Sequence, residues 1–149
     1  RITNDAATDR NPAFSPDGRQ IAFARGSFSQ TDVWVVDVDG ENPTQLTHMG
    51  RGIGGLTWSP DGSSIAFGTF RDYEDYDAEI YVMDADGSNQ TRLGDTEGAA
   101  ELAWSLDGSR IAFRGHPGDI YVMDADGSNV VNLTDGAGFD ASPAWSPAP

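Results

Sequence analysis

One ten-residue phrase occurs twice in this chain, letter for letter, at Ile80–Asn89 and at Ile120–Asn129. A looser copy, Val33-Trp34-Val35-Val36-Asp37-Val38-Asp39-Gly40-Glu41-Asn42, lies earlier. A second phrase precedes each copy: Phe14-Ser15-Pro16-Asp17-Gly18, Trp58-Ser59-Pro60-Asp61-Gly62 and Trp104-Ser105-Leu106-Asp107-Gly108. A truncated version stands at Trp145-Ser146-Pro147, and the aromatic starts are 44, 46 and 41 residues apart. A repeated unit of this size cannot bury its own apolar faces and must stack on its neighbours. With strand-like content at a period in the forties, the expected units are propeller blades.

The middle repeat shows how each unit is built. Leu56-Thr57-Trp58-Ser59 reads as a short strand, followed by turn chemistry at Pro60-Asp61-Gly62, where proline presets φ and glycine accepts a positive one. Ser64–Gly68 alternates, with Ile65 and Phe67 on one face and small residues on the other. A variable loop runs to Ala78, and Glu79–Met83 is rich in β-branched and aromatic residues. Asp84–Asn89 reads as a hairpin turn with Gly87 at its left-handed position, and Thr91-Arg92-Leu93 as a fourth strand. The repeats fall at about 11–47, 55–94 and 101–134, with a partial one at 142–149. The fold class is all-β: three four-stranded antiparallel blades plus part of a fourth. No segment has the apolar period of a helix. Radial stacking predicts an inter-blade core of Ile65, Phe67, Ile80 and Val82, with Ile21, Phe23, Val33, Val35, Ile111, Phe113, Ile120 and Val122 as their counterparts. Phe14, Trp58 and Trp104 are expected to pack at the blade base.

These phrases resemble the TolB-like propeller repeat, the Pro-Asp-Gly relative of the WD repeat. The match runs through Ser-Pro-Asp-Gly, Ile-Ala-Phe, Ile-Tyr-Val-Met-Asp, Asp-Gly and the closing Leu46-Thr47 and Leu133-Thr134, with Ile2-Thr3 as a degenerate copy. Leu106 departs from proline and Gly94 from threonine. The resemblance implies a six- or seven-bladed propeller, periplasmic or extracellular, that binds proteins or gates a larger enzyme such as a serine peptidase. Fold alone does not settle which.

Three blades do not close a ring, since propellers carry roughly 4–8. A piece of a longer protein, a pair of copies and an open end-to-end assembly all satisfy the pattern, and self-association is the expectation adopted. A fragment of the propeller of a polysaccharide-active enzyme and a purely architectural fibre or coat subunit are further alternatives.

The formal charge is −15, and all nine basic residues are arginine. Such a field opposes nucleic acid and anionic membrane, whose binding depends on neutralising phosphates with basic groups. No apolar run is long enough for a membrane-spanning helix. There is no cysteine, and therefore neither a disulfide nor a thiol nucleophile. No Gly-x-Ser-x-Gly elbow or zinc-type histidine spacing occurs, and His48 and His116 stand alone. A non-enzymatic role is therefore expected, with no catalytic residue assigned.

Two acidic features suggest calcium as the one candidate cofactor. The Asp-x-Asp-Gly turns begin like a calcium loop but lack its closing carboxylate, because Leu93 and Leu133 stand there. They read instead as aspartates bracing their hairpins. The loop Arg71–Glu79 packs five carboxylates and two tyrosines into nine residues. Asp72, Glu74, Asp75 and Asp77 are its candidate metal ligands. The second-to-third and fourth-to-first connections share one end of a propeller. Arg25, Phe28, Arg51, Phe70, Arg71, Tyr73, Tyr76, Arg114 and His116 are expected there as a partner surface, with Glu101 and Asp140 nearby. If the acidic loop holds calcium, deleting residues 72–77 abolishes a calcium-dependent rise in melting temperature. An unchanged rise in calorimetry rejects that assignment.

Overall fold

The computed structural model describes residues 2–4, 6–27, 29–70, 78–94, 96, 100–136 and 138–146. Its strands are β1 (Asp9–Phe14), β2 (Gln20–Ser27), β3 (Gln30–Asp37), β4 (Thr44–Gln45), β5 (Gly52–Trp58) and β6 (Ser64–Phe70). They continue as β7 (Ala78–Asp84), β8 (Thr91–Leu93), β9 (Ala100–Trp104), β10 (Arg110–Arg114), β11 (Ile120–Asp124) and β12 (Val131–Asn132). Three antiparallel meanders result, β1-β2-β3-β4, β5-β6-β7-β8 and β9-β10-β11-β12, with no helix among the described residues. Strand β5 lies against β1, β2 and β3, and β9 against β5 and β6. The innermost strands β1, β5 and β9 thus run side by side, and each sheet leans face-on against the next. These are propeller blades, and three of them form an incomplete ring.

Alternation decides what each face buries. Ile65, Phe67 and Met83 of the second blade meet Ala22, Ala24, Val33, Val35 and Leu46 of the first. Ala66, Ile80 and Leu93 on the opposite face meet Ile111, Phe113 and Met123 of the third. Phe67 stacks on Tyr81 at 5.8 Å and Phe113 on Tyr121 at 5.5 Å, within the same blades. Each fully buried isoleucine or phenylalanine contributes about 1.5–3 kcal/mol. The expected core residues hold these places, but Val82, Ile120 and Val122 are only half-buried. Met83 and Met123, which the sequence reading left out, are fully enclosed.

The basal aromatics behave less uniformly than expected. Trp58 is buried and donates from Nε1 to the Ala13 carbonyl of the preceding blade at 3.2 Å. Trp145 does the same to Ala103 at 2.9 Å. Trp104 turns to its own Gly108 carbonyl at 3.0 Å and stays half-buried. Phe14 corrects the expectation, being 65% exposed. It has no indole N–H, and among the described residues no inner strand precedes its blade.

The turns repeat in detail. Ser59 Oγ donates to Asp61 Oδ1 at 2.6 Å, and the Ser63 amide donates to the same oxygen at 3.0 Å. Those bonds hold the Asp61 carboxyl at about 2, below the usual range, and the matching Ser105 and Ser109 bonds do the same at Asp107. In the hairpins, Asn89 Nδ2 donates to Asp84 Oδ2 at 2.6 Å, and Asn129 repeats this on Asp124. Gly87 takes φ +87°, and a Cβ there would lie 2.8 Å from the Leu46 carbonyl oxygen of the preceding blade. Gly40 approaches Ile2 in the same way, which places Ile2 where an outer-strand leucine stands in the other blades.

Each third strand also needs a side-chain acceptor for one amide near its start, that of Val33, Ile80 or Ile120. Thr47 Oγ1 serves Val33 at 2.9 Å, and Thr134 Oγ1 serves Ile120 at 2.9 Å. The middle blade has Gly94 at the corresponding place, and Thr96, two residues on, accepts from Ile80 at 3.1 Å. Gly94 is required because a Cβ there would come within 2.8 Å of the Gly127 carbonyl oxygen. Thr96→Val should therefore lower the unfolding free energy by about 1–3 kcal/mol, the cost of an orphaned buried amide. Thr91→Val, whose hydroxyl serves only its own turn, should change it by less than about 0.5 kcal/mol in the same urea titration.

Candidate functional site

The connections expected at one end do meet there. The Thr31 amide and hydroxyl both donate to the Arg51 carbonyl, at 3.0 and 3.1 Å, tying the β2–β3 hairpin to the connector between blades. The Asp140 amide donates to the Gly118 carbonyl at 2.8 Å, tying the β10–β11 turn to the next connector.

An acidic residue opens every third strand at this end, and each blade uses it differently. Asp32 Oδ1 accepts from the Thr47 hydroxyl at 2.9 Å and the Met49 amide at 2.8 Å, so it braces the connector. Glu79 lies between two guanidinium groups, with Arg51 Nη1 at 3.1 Å and Arg92 Nε at 2.9 Å, and accepts from the Tyr81 hydroxyl at 3.2 Å. Asp119 is buried and accepts from Asn132 Nδ2 at 2.8 Å, while its Oδ1 has no partner among the described residues.

The arginines expected to face a partner are held within the chain. Arg25 forks onto Asp9, with Nε–Oδ1 at 2.7 Å and Nη2–Oδ2 at 3.0 Å. Its guanidinium also lies 5.1 Å from the ring centroids of both Phe23 and Trp34. Arg114 Nε donates to Glu101 Oε1 at 3.2 Å and covers Phe139 at 5.2 Å. Arginine suits these places because its planar fork pairs with a carboxylate while its face stacks on a ring. Phe70 is half-buried over Gly52, where a Cβ would fall 2.0 Å from its ring. His116 is exposed in the β10–β11 turn. Phe28, Arg71, Tyr73 and Tyr76 lie outside the described residues, as do the proposed calcium ligands Asp72, Glu74, Asp75 and Asp77. Among the described residues no group of three or more His, Asp or Glu is placed to hold a metal.

Two features of this end were not foreseen. Phe139 is 71% exposed, although its ring is fixed between the Arg114 guanidinium and the backbone of Gly118. The innermost strands also bulge three residues before their aromatics. Asn11, Glu101 and Ser142 take φ of 51°, 51° and 57°, a conformation disfavoured for residues with a side chain. Asn11 Nδ2 donates to the Ile53 and Gly54 carbonyls of the next blade at 3.2 and 3.3 Å. Glu101 Oε2 accepts from both the amide and the hydroxyl of Ser142. Asn11 and Glu101 thus each hook the blade that follows. The only signal in the sequence is the fixed distance of Asn11, Glu101 and Ser142 from Phe14, Trp104 and Trp145.

A family profile for the Tricorn protease N-terminal beta propeller domain matches residues 1–114. The chain belongs to the TolB-like β-propeller family. An uncharacterized protein of Agrobacterium fabrum is 31% identical over 122 residues, 76% of this chain and 42% of that one. The Tol-Pal system protein TolB of Thioalkalivibrio sulfidiphilus is 38% identical over 64 residues, 43% of this chain and 14% of that one. A solved TolB candidate from Agrobacterium tumefaciens superposes with a TM-score of 0.73 at 28% identity, over 89% of this chain and 51% of that one. Enzymes share the fold: puromycin hydrolase gives a TM-score of 0.75 at 20% identity, covering 98% of this chain but 25% of its own. The chain spans about half, or less, of the length of each of these proteins.

Removing the hook at Glu101 should free the strand it holds. In Glu101→Ala the Ser142 amide is expected to exchange at least about ten-fold faster in deuterium exchange, since a hydrogen bond to a charged group contributes about 1.5–3 kcal/mol. Amides of β2 and β3 should keep their rates.

Proposed function

We propose that this TolB-like propeller unit is a non-catalytic binding module whose loop end takes a protein partner. The observation that carries this reading is Phe139. A large aromatic ring that stays mostly in water, yet is fixed by a cation–π contact and a glycine backbone, loses little freedom on binding. Exposed His116 and half-buried Arg114 and Phe70 belong to the same loop end. The repeating blades supply a rigid platform, and the connections on it vary in length and residue type.

Relatives named as Tol-Pal system proteins support a role in a protein assembly. The same likeness supports a periplasmic or extracellular setting. A second reading, a propeller that gates a larger hydrolase, draws on the likeness to puromycin hydrolase, which has the fold alone to support it.

A photo-crosslinking amino acid placed at His116 and exposed to an extract of the source organism tests the first reading. A specific partner should be captured, and Phe139→Ala should reduce that capture at least ten-fold. Leu106→Ala, an exposed residue on a Pro-Asp-Gly-type turn of the third blade, should leave it unchanged. Capture that is indifferent to Phe139 counts against the loop end as the binding surface.

A further inference from the structure

Seven aspartates of this chain are followed directly by glycine, the neighbour that least obstructs ring closure of an aspartyl side chain onto the main chain. Six belong to the repeated turns: Asp17, Asp39, Asp61, Asp86, Asp107 and Asp126. The seventh is Asp135, in the connector that leaves β12. All seven are exposed, so hydrogen bonding and not burial sets them apart.

Each of the six is held twice. Its Oδ1 accepts from the amide two residues on, at 2.9–3.0 Å. The amide of the glycine that follows it donates to the carbonyl two residues before the aspartate, at 2.8–3.0 Å. Ring closure requires that nitrogen to meet the carboxyl carbon, and both are tied elsewhere.

Asp135 and Gly136 have neither restraint. Among the described residues nothing bonds the Asp135 carboxylate or the Gly136 amide. The brace that steadies the first connector is missing as well. There, Asp32 Oδ1 accepts from the Met49 amide at 2.8 Å and the Gly50 amide at 3.3 Å. Gly136 follows Thr134 as Met49 follows Thr47, and Asp119 stands where Asp32 does, yet Asp119 Oδ1 is buried without a partner. Exposure belongs to the connector itself, because His48 and Gly50 are exposed with a complete blade on either side.

We propose that Asp135 is the site at which this chain spontaneously converts aspartate to isoaspartate. The Gly136 nitrogen attacks Asp135 Cγ and a C–N bond forms. The amide hydrogen and the carboxyl hydroxyl leave together as one water, giving a cyclic imide. Water then opens the imide at the Asp135 main-chain carbonyl, so that the chain continues through Cγ and a free α-carboxylate remains. Opening at Cγ restores aspartate. The product has one more main-chain carbon in a segment pinned on both sides, by Thr134 at Ile120 and by Asp140 at Gly118.

The 149-residue chain, kept for several weeks at neutral pH and body temperature, tests this. Isoaspartate is counted by enzymatic methyl transfer and located by electron-transfer fragmentation of the peptides. It should accumulate at Asp135 at least about ten-fold faster than at any of the other six, each of which must first break two hydrogen bonds. In concentrated urea, where no turn is formed, the seven rates should converge. Overturning results are no isoaspartate at Asp135, equal or faster conversion at any repeated turn of the folded chain, or a preference for Asp135 that persists in urea.

Discussion

The face-to-face contact between consecutive sheets is the constraint on which the rest of this structure depends. A four-stranded meander has two apolar faces, and no folding of that meander on itself buries either. Here Ile65, Phe67 and Met83 press on the small and branched residues of the blade before, while Ala66, Ile80 and Leu93 receive the blade after. In the second blade the phenylalanine and methionine lie on one face, and the other carries Ala66, Ile80 and Leu93. Interdigitation of that kind sets both the spacing and the direction of the array.

Much of the remaining architecture serves to keep those faces in contact. The hairpin glycines are bare because the outer leucine of the preceding blade lies against them. Trp58 and Trp145 reach back one blade, and the bulge residues Asn11 and Glu101 reach forward one. Stitching at both ends of the inner strands leaves the loops above them free to differ. That freedom explains why one repeat position can hold a connector brace at Asp32, a double ion pair at Glu79 and a buried carboxylate at Asp119.

The charge of the chain acquires a more specific meaning in three dimensions. At −15 the molecule carries few cations, and the described arginines of the loop end are engaged with carboxylates or rings. Arg25 and Arg114 hold Phe23, Trp34 and Phe139 as well as their acidic partners. They therefore act on a binding surface through the aromatics they position. The sequence shows arginines and aromatics gathered in the loops. It does not show which of them are spent on each other.

The repeat phrases alone determined the blade, its four strands, its turns and the alternation that makes Ile65 and Phe67 core, because these depend on local chemistry and a period of two. The family resemblance was legible for the same reason, since its motifs are those turns and strands. Tertiary structure decided what depends on a neighbouring blade. Phe14 matches Trp58 in sequence but is exposed, and Leu133 matches Leu93 but is exposed, since among the described residues neither has the sheet that covers its counterpart. Thr96 replaces the missing threonine at Gly94 because the next hairpin comes too close for a side chain there. Identical residues in one repeat differ in burial and in use according to what packs against them, and only the assembled stack supplies that.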